Sequence, residues 1–99
     1  MEFKDCKKIL YLVVSKVWFD KLASGDKKFE FRLAKPYWDS RLYRRWYSHA
    51  RFVCGYKKNA DRILVELKSI KLKHVIYPIT NTKELCYVIE LGKRKELKC

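Results

Sequence analysis

The stretch SGDKKFEFR, Ser24–Arg32, decides how this chain is read. If its second half is a strand, neighbouring side chains alternate between faces. Phe29, Phe31 and Leu33 then share one side, the expected core face, while Lys28, Glu30 and Arg32 share the other. The charged side has two readings. Glu30 and Arg32 are either a solvated ion pair, worth roughly a few tenths of a kcal/mol, or working groups that line a cleft.

Working outward, the run ILYLVVS, Ile9–Ser15, is apolar and β-branched and fits a strand buried on both sides. Ser15 is placed to cap a helix in which Trp18 stacks with Leu22 and Phe19 with Ala23 at i,i+4 spacing. Gly25 supplies the left-handed residue that ends helices. The strand of the opening stretch follows, from Lys28 to about Ala34. Pro36 suits the first turn of a short helix carrying YWDSRLYRR, Tyr37–Arg45.

Further on, ARFVCGY (Ala50–Tyr56) reads as a third strand and KKNAD (Lys57–Asp61) as a hairpin loop. A fourth, long strand is RILVELKSIKL, Arg62–Leu72. Its inward set Ile63, Val65 and Leu67 gives way to Ile70 and Leu72, a phase slip near Lys68 and Ser69 that predicts a bulge. After a connection from Lys73 to Lys83, ELCYVIELG (Glu84–Gly92) is a last strand closed by Gly92, and residues 93–99 read as a frayed basic tail. The order strand, helix, strand, helix, then three strands argues an α+β fold. Long bent strands in so small a body predict a barrel of about five strands with two short helices.

At 99 residues the chain supports one core, so residues 1–99 form a single domain. With 48% hydrophobic residues and three Gly and two Pro, the composition is that of a folded protein. Charge is the strongest compositional signal, because 24 Lys+Arg against 11 Asp+Glu gives a formal net charge of +13. Such self-repulsion points to a polyanionic partner, nucleic acid before an anionic membrane, with a generally lysine-rich proteome as the competing explanation. The N-terminal MEFKDCKK offers neither an amphipathic helix nor a lipidation signal, so no membrane partner is expected. With no spanning run and no signal-peptide pattern, the expected location is cytoplasmic. Cys6, Cys54, Cys86 and Cys99 form no C-x-x-C pair and lie far in sequence from the two histidines, so no metal and no cofactor is expected. Cys54 and Cys86 fall in apolar runs and read as small buried hydrophobes.

Gly25, Lys27, Glu30 and Arg32 stand as G-x-K-x-x-E-x-R directly after a strand and a short helix. This resembles the signature of the ASCH domain, the activating-signal-cointegrator homology family of the PUA-like superfamily. The segments PYWDSRLY, VCGY and CYVIELG follow in the order of small single-domain members, so the resemblance covers nearly the whole chain. It implies a PUA-like β-barrel flanked by helices, with a cleft that holds RNA or single-stranded nucleic acid and is lined by Lys27, Glu30 and Arg32. In that setting Lys27 meets a phosphate, Arg32 forks onto a phosphate or base edge, and Glu30 holds Arg32 or accepts from a base amino group.

Residues 37–51, YWDSRLYRRWYSHAR, interleave four arginines with Tyr37, Trp38, Tyr43, Trp46 and Tyr47. Aromatic faces stack unpaired bases and arginines track the backbone, so Trp38, Arg41, Arg44 and Arg45 join the candidate nucleic-acid contacts. Tyr56, at a strand end, is a further candidate. Packing is the competing reading, with Leu42 and Trp46 expected in the core and Trp38 open to either.

Some small ASCH-like proteins are hydrolases, either ribonucleases or amidases acting on acylated cytidine. The amidases resemble this chain at Lys27 and Arg32. They carry a threonine where Glu30 stands here, and a catalytic glutamate from a longer insertion before the last strand, whereas the Lys73–Lys83 connection has no acid. A ribonuclease reading would use Lys27, Glu30 and Arg32 as the catalytic set. Binding without chemistry leads, hydrolysis is the alternative, and a protein-interaction adaptor is the third reading.

Overall fold

A computed structural model of the chain describes residues 8–25 and 27–96. The terminal cysteines, Cys6 and Cys99, and the last three residues of the expected tail lie outside them. Five strands and two helices follow in order: β1 (Ile9–Val14), α1 (Lys16–Ser24), β2 (Phe29–Leu33), α2 (Pro36–Leu42), β3 (His49–Cys54), β4 (Arg62–Tyr77) and β5 (Thr82–Glu96). The fold is α+β. The strands make one mixed sheet in the order β1-β3-β4-β5-β2, parallel between β1 and β3 and antiparallel elsewhere.

The expected barrel is not closed. β1 and β2 are the two edges of the sheet, and no backbone ladder joins them. Arg32 reaches across instead, its Nη2 donating to the Val13 carbonyl oxygen at 3.3 Å. Side chains thus occupy the gap that a fifth pairing, between β1 and β2, would fill.

Local chemistry explains most boundaries. Gly25 ends α1 at φ 86°, and its N–H donates back to the Leu22 carbonyl. Ser15 is the N-cap of α1 in extended conformation, but its hydroxyl makes no cap hydrogen bond. Pro36 opens α2 as expected. That helix stops at Leu42, short of Arg45, because Tyr43 turns to an extended backbone at ψ 119°, and Arg44 follows with a left-handed φ of 54°. Tyr47 then folds back, its hydroxyl donating to the Arg41 carbonyl at 2.6 Å. The register of β4 on β5 shifts between Val65 and Leu67 and again between Leu67 and Ser69, where the phase slip predicts a bulge.

Two strands run longer than their sequence limits. β4 continues to Tyr77 and β5 starts at Thr82, so the expected 73–83 connection is a turn at 78–81 with Asn81 at φ 59°. β5 also passes Gly92 and pairs as far as Glu96, so residues 93–96 are strand and not frayed tail. Gly92 does not end the strand. It leaves room for the Glu66 carboxylate, which accepts from the Lys93 N–H at 3.3 Å and would collide with a Cβ at position 92.

The core lies on one face of the sheet, beneath the two helices. Its fully buried side chains include Leu12, Leu22, Leu42, Phe52, Tyr87 and Ile89. β1 is buried on one face only, with Tyr11 61% exposed, because an edge strand has one helix-covered side. Trp46, expected inside, is 65% exposed, since α2 ends before the i,i+4 relation to Leu42 can apply. Cys86 is buried and Cys54 half-buried.

Candidate functional site

β2 presents the opposite face to the one its alternation predicts. Glu30 lies opposite Ile89 and Arg32 opposite Tyr87 on β5, both of them core residues, so the charged pair points to the core side. Phe29 lies opposite Glu90 and is 44% exposed. The expected core face is therefore the outer one, and Glu30, at 6% exposure, is buried.

A carboxylate this far from water needs compensating charge and hydrogen bonds. The motif supplies both. Glu30 Oε2 accepts from Arg32 Nε at 2.8 Å and pairs with Nη2 at 2.6 Å, while Oε1 faces Lys27 Nζ at 3.5 Å. The side chains of Lys27, Glu30 and Arg32 are 11%, 8% and 17% exposed. One buried anion thus meets two cations, which leaves an excess positive charge in a mostly desolvated setting. The left-handed turn at Gly25 makes this possible, letting the Lys27 N–H donate to the Lys21 carbonyl at 3.2 Å so that Lys27 sits at the mouth of β2.

Aromatic rings fix the cations further. Lys27 Nζ lies 4.6 Å from the Trp18 ring centroid and 5.7 Å from that of Phe31. Arg32 Cζ stands 4.9 Å from the Trp38 ring. With Nε and Nη2 of Arg32 engaged by Glu30 and Val13, Nη1 remains the guanidinium donor for a ligand.

These groups line a cleft of about 260 Å³ between the edges of the sheet. Lys27, Glu30 and Arg32 form its polar wall, and Trp18, Phe31 and Val13 an apolar one. Tyr77, the last residue of β4, and Ile79 of the turn that follows border it as well. Burial pushes the Tyr77 phenol up from its ordinary value, with Arg32 acting in the opposite sense. Ser15 also lines the cleft, so the positive end of the α1 dipole adds to the field of the two cations. The volume sits just below the ~300 Å³ lower bound for small-molecule pockets.

None of the other candidates lines the cleft. Trp38 is half-buried against the core and reaches the site only through Arg32. Arg41, Arg44 and Arg45 are exposed and outside the cleft, Arg41 stacking on Tyr37 and Arg44 over Tyr43. Tyr56 is 91% exposed and does not line the cleft. Sequence reasoning missed Trp18, read as a packing residue, and Tyr77, placed in a featureless connection. An aromatic on the helix that precedes the motif lysine is the signal that could have found Trp18. Among the described residues, no three of His, Cys, Asp and Glu gather as a metal site would require, and no helix is long and apolar enough to cross a membrane. Set against models of known protein families, curated proteins and solved structures, the chain matches none of them.

Proposed function

We propose that this chain is an ASCH-like, PUA-like nucleic-acid-binding module that holds single-stranded RNA or one of its nucleotides in the cleft between β1 and β2. The observation that carries the proposal is the buried Glu30 held by both Lys27 and Arg32 at the cleft wall. A lone solvated pair needs no such burial. A desolvated cluster with surplus positive charge is a ready anion site, because phosphate binds there without the full penalty of stripping water from free side chains. Trp18 and Phe31 beside it give a base an apolar, aromatic surface. Arg44, Arg45 and the remaining cations of the +13 chain supply long-range attraction.

Binding fits this geometry better than hydrolysis. Both oxygens of Glu30 are engaged by cations, and the Lys27 ammonium is held against that carboxylate and the Trp18 ring, an arrangement suited to orienting a ligand. The test is titration of a labelled RNA oligonucleotide at several salt concentrations. Affinity is expected to fall with a log–log slope of about 0.7 per neutralised phosphate. A flat salt response, or no binding at low salt, overturns the proposal.

A further inference from the structure

Cations and rings continue beyond the rim of the cleft as one connected run. On the α1 side, Lys21 Nζ lies 5.2 Å from the Trp18 ring that Lys27 also faces. On the other side, beyond Arg32, the Trp38 ring packs edge-on against Tyr37 with centroids 4.8 Å apart, and Arg41 Cζ lies 3.8 Å from the Tyr37 centroid. Tyr37 is 57% exposed, and Lys21 and Arg41 are exposed too, so the run starts at the surface, passes through the cleft and returns to the surface.

This alternation has a physical consequence. A cation resting on a ring loses much of its freedom to sweep through solvent and becomes a fixed anchor for a phosphate. The rings between the anchors, and the planar guanidinium groups themselves, are surfaces for unpaired bases of any sequence. A patch that merely kept the protein dissolved would not need its cations paired with rings in succession.

The geometry points to a strand-length site, in which single-stranded RNA lies across the cleft with one nucleotide inside it and its neighbours on α1 and α2. This inference rests on the cleft reading given above. The stations are Lys21 at the α1 rim, the cleft itself with Trp18 and Arg32 in its walls, Trp38 beyond Arg32, and Arg41 with Tyr37. They set a footprint of about four nucleotides, at the low end of the ~4–16 known for stacking platforms. A duplex, its bases paired and stacked on each other, has no use for the rings.

The test measures binding of uridine monophosphate, of oligouridylates two, four and eight nucleotides long, and of a short RNA duplex, at one salt concentration. Wild type, Tyr37→Ala, Lys21→Ala and Arg32→Lys are compared. Tyr37 and Lys21 are exposed, so their loss leaves the fold intact, which circular dichroism checks. Affinity is expected to rise at least about tenfold from two to four nucleotides and little beyond, with the duplex weaker. Tyr37→Ala and Lys21→Ala are expected to weaken the tetranucleotide, the former by at least about fivefold, and to leave the mononucleotide unchanged. If mononucleotide and tetranucleotide bind equally and Arg32→Lys weakens both, the strand-length site is wrong while the cleft reading stands. If affinity climbs steadily with length and Tyr37→Ala matches wild type, or if the duplex binds as well as the single strand, the track is only diffuse positive charge. If no RNA binds, both readings fall.

Discussion

Replacing Glu30 by Gln removes the one anion that separates Lys27 from Arg32. The structure fixes the scale of the effect. Contacts of 2.6 Å to Arg32 Nη2 and 3.5 Å to Lys27 Nζ, at an effective dielectric of about 20, are worth about 6 and about 5 kcal/mol gross. Desolvation cancels part of that, and breaking a buried pair from one side typically costs about 3–5 kcal/mol. Since both cations keep some access to water, the expected loss is about 3 kcal/mol. Against a total stability of about 5–15 kcal/mol this is a large fraction. It should lower the Tm by roughly 12–24 °C for a domain of this size. Urea unfolding followed by tryptophan fluorescence measures it, and the Glu30→Gln, Arg32→Gln double variant supplies the coupling. Removing both partners should cost less than the sum of the single changes, because no unpaired buried charge is then left beyond Lys27. A loss under about 1 kcal/mol, with the two changes additive, would mean that the pair is solvated and the buried cluster does not exist.

Two further outcomes follow from the fold. The Tyr87 phenol, buried and donating to Asp39 Oδ1 at 2.5 Å, has its pKa raised from 10.0 to about 12 by burial first and Asp39 second. Its folded-state value lies above its unfolded one, so its contribution is fully present below pH 10 and is lost between pH 10 and about 12. Tyr87→Phe should lower stability at neutral pH by about 1–3 kcal/mol and flatten that alkaline decline, as read by unfolding across the pH range. Gly92→Ala should evict the Glu66 carboxylate from the Lys93 N–H and cost about 1 kcal/mol. In a Glu66→Ala background the same change should be nearly neutral, which chemical denaturation of the four variants decides.

How far the fold was legible depends on whether its cause was local. Gly25 ending α1, Pro36 opening α2 and the bulge near Ser69 were visible because each follows from one residue's backbone or a break in apolar spacing. The face of β2 was not. In FEFRL the alternation says which side chains are alike, but which side is covered depends on pairing Glu30 with Ile89, a contact distant in sequence. Polarity then misleads, because the buried side is the charged one and is made tolerable by Lys27 and Arg32. The end of β5 was misplaced for a similar reason, since Gly92 reads as a terminator until Glu66 of β4 is seen to use its space. The motif residues themselves were legible, and their convergence with Trp18 and Tyr77 was not, because those arrive from a helix face and the far end of a long strand.

The cleft stands or falls on whether Arg32 acts as a fork or only as a charge. Arg32→Lys keeps the charge and removes the planar guanidinium, whereas Lys58→Ala removes a charge from the exposed loop before β4 and touches nothing in the cleft. Both are to be measured against one single-stranded RNA at one salt concentration, after unfolding curves confirm that each variant is folded. A guanidinium that grips ligand in the cleft predicts a loss of about 1–3 kcal/mol in binding for Arg32→Lys and a much smaller one for Lys58→Ala. Arg32→Lys binding as tightly as wild type, while Lys58→Ala binds more weakly, would contradict the cleft and leave only a basic surface.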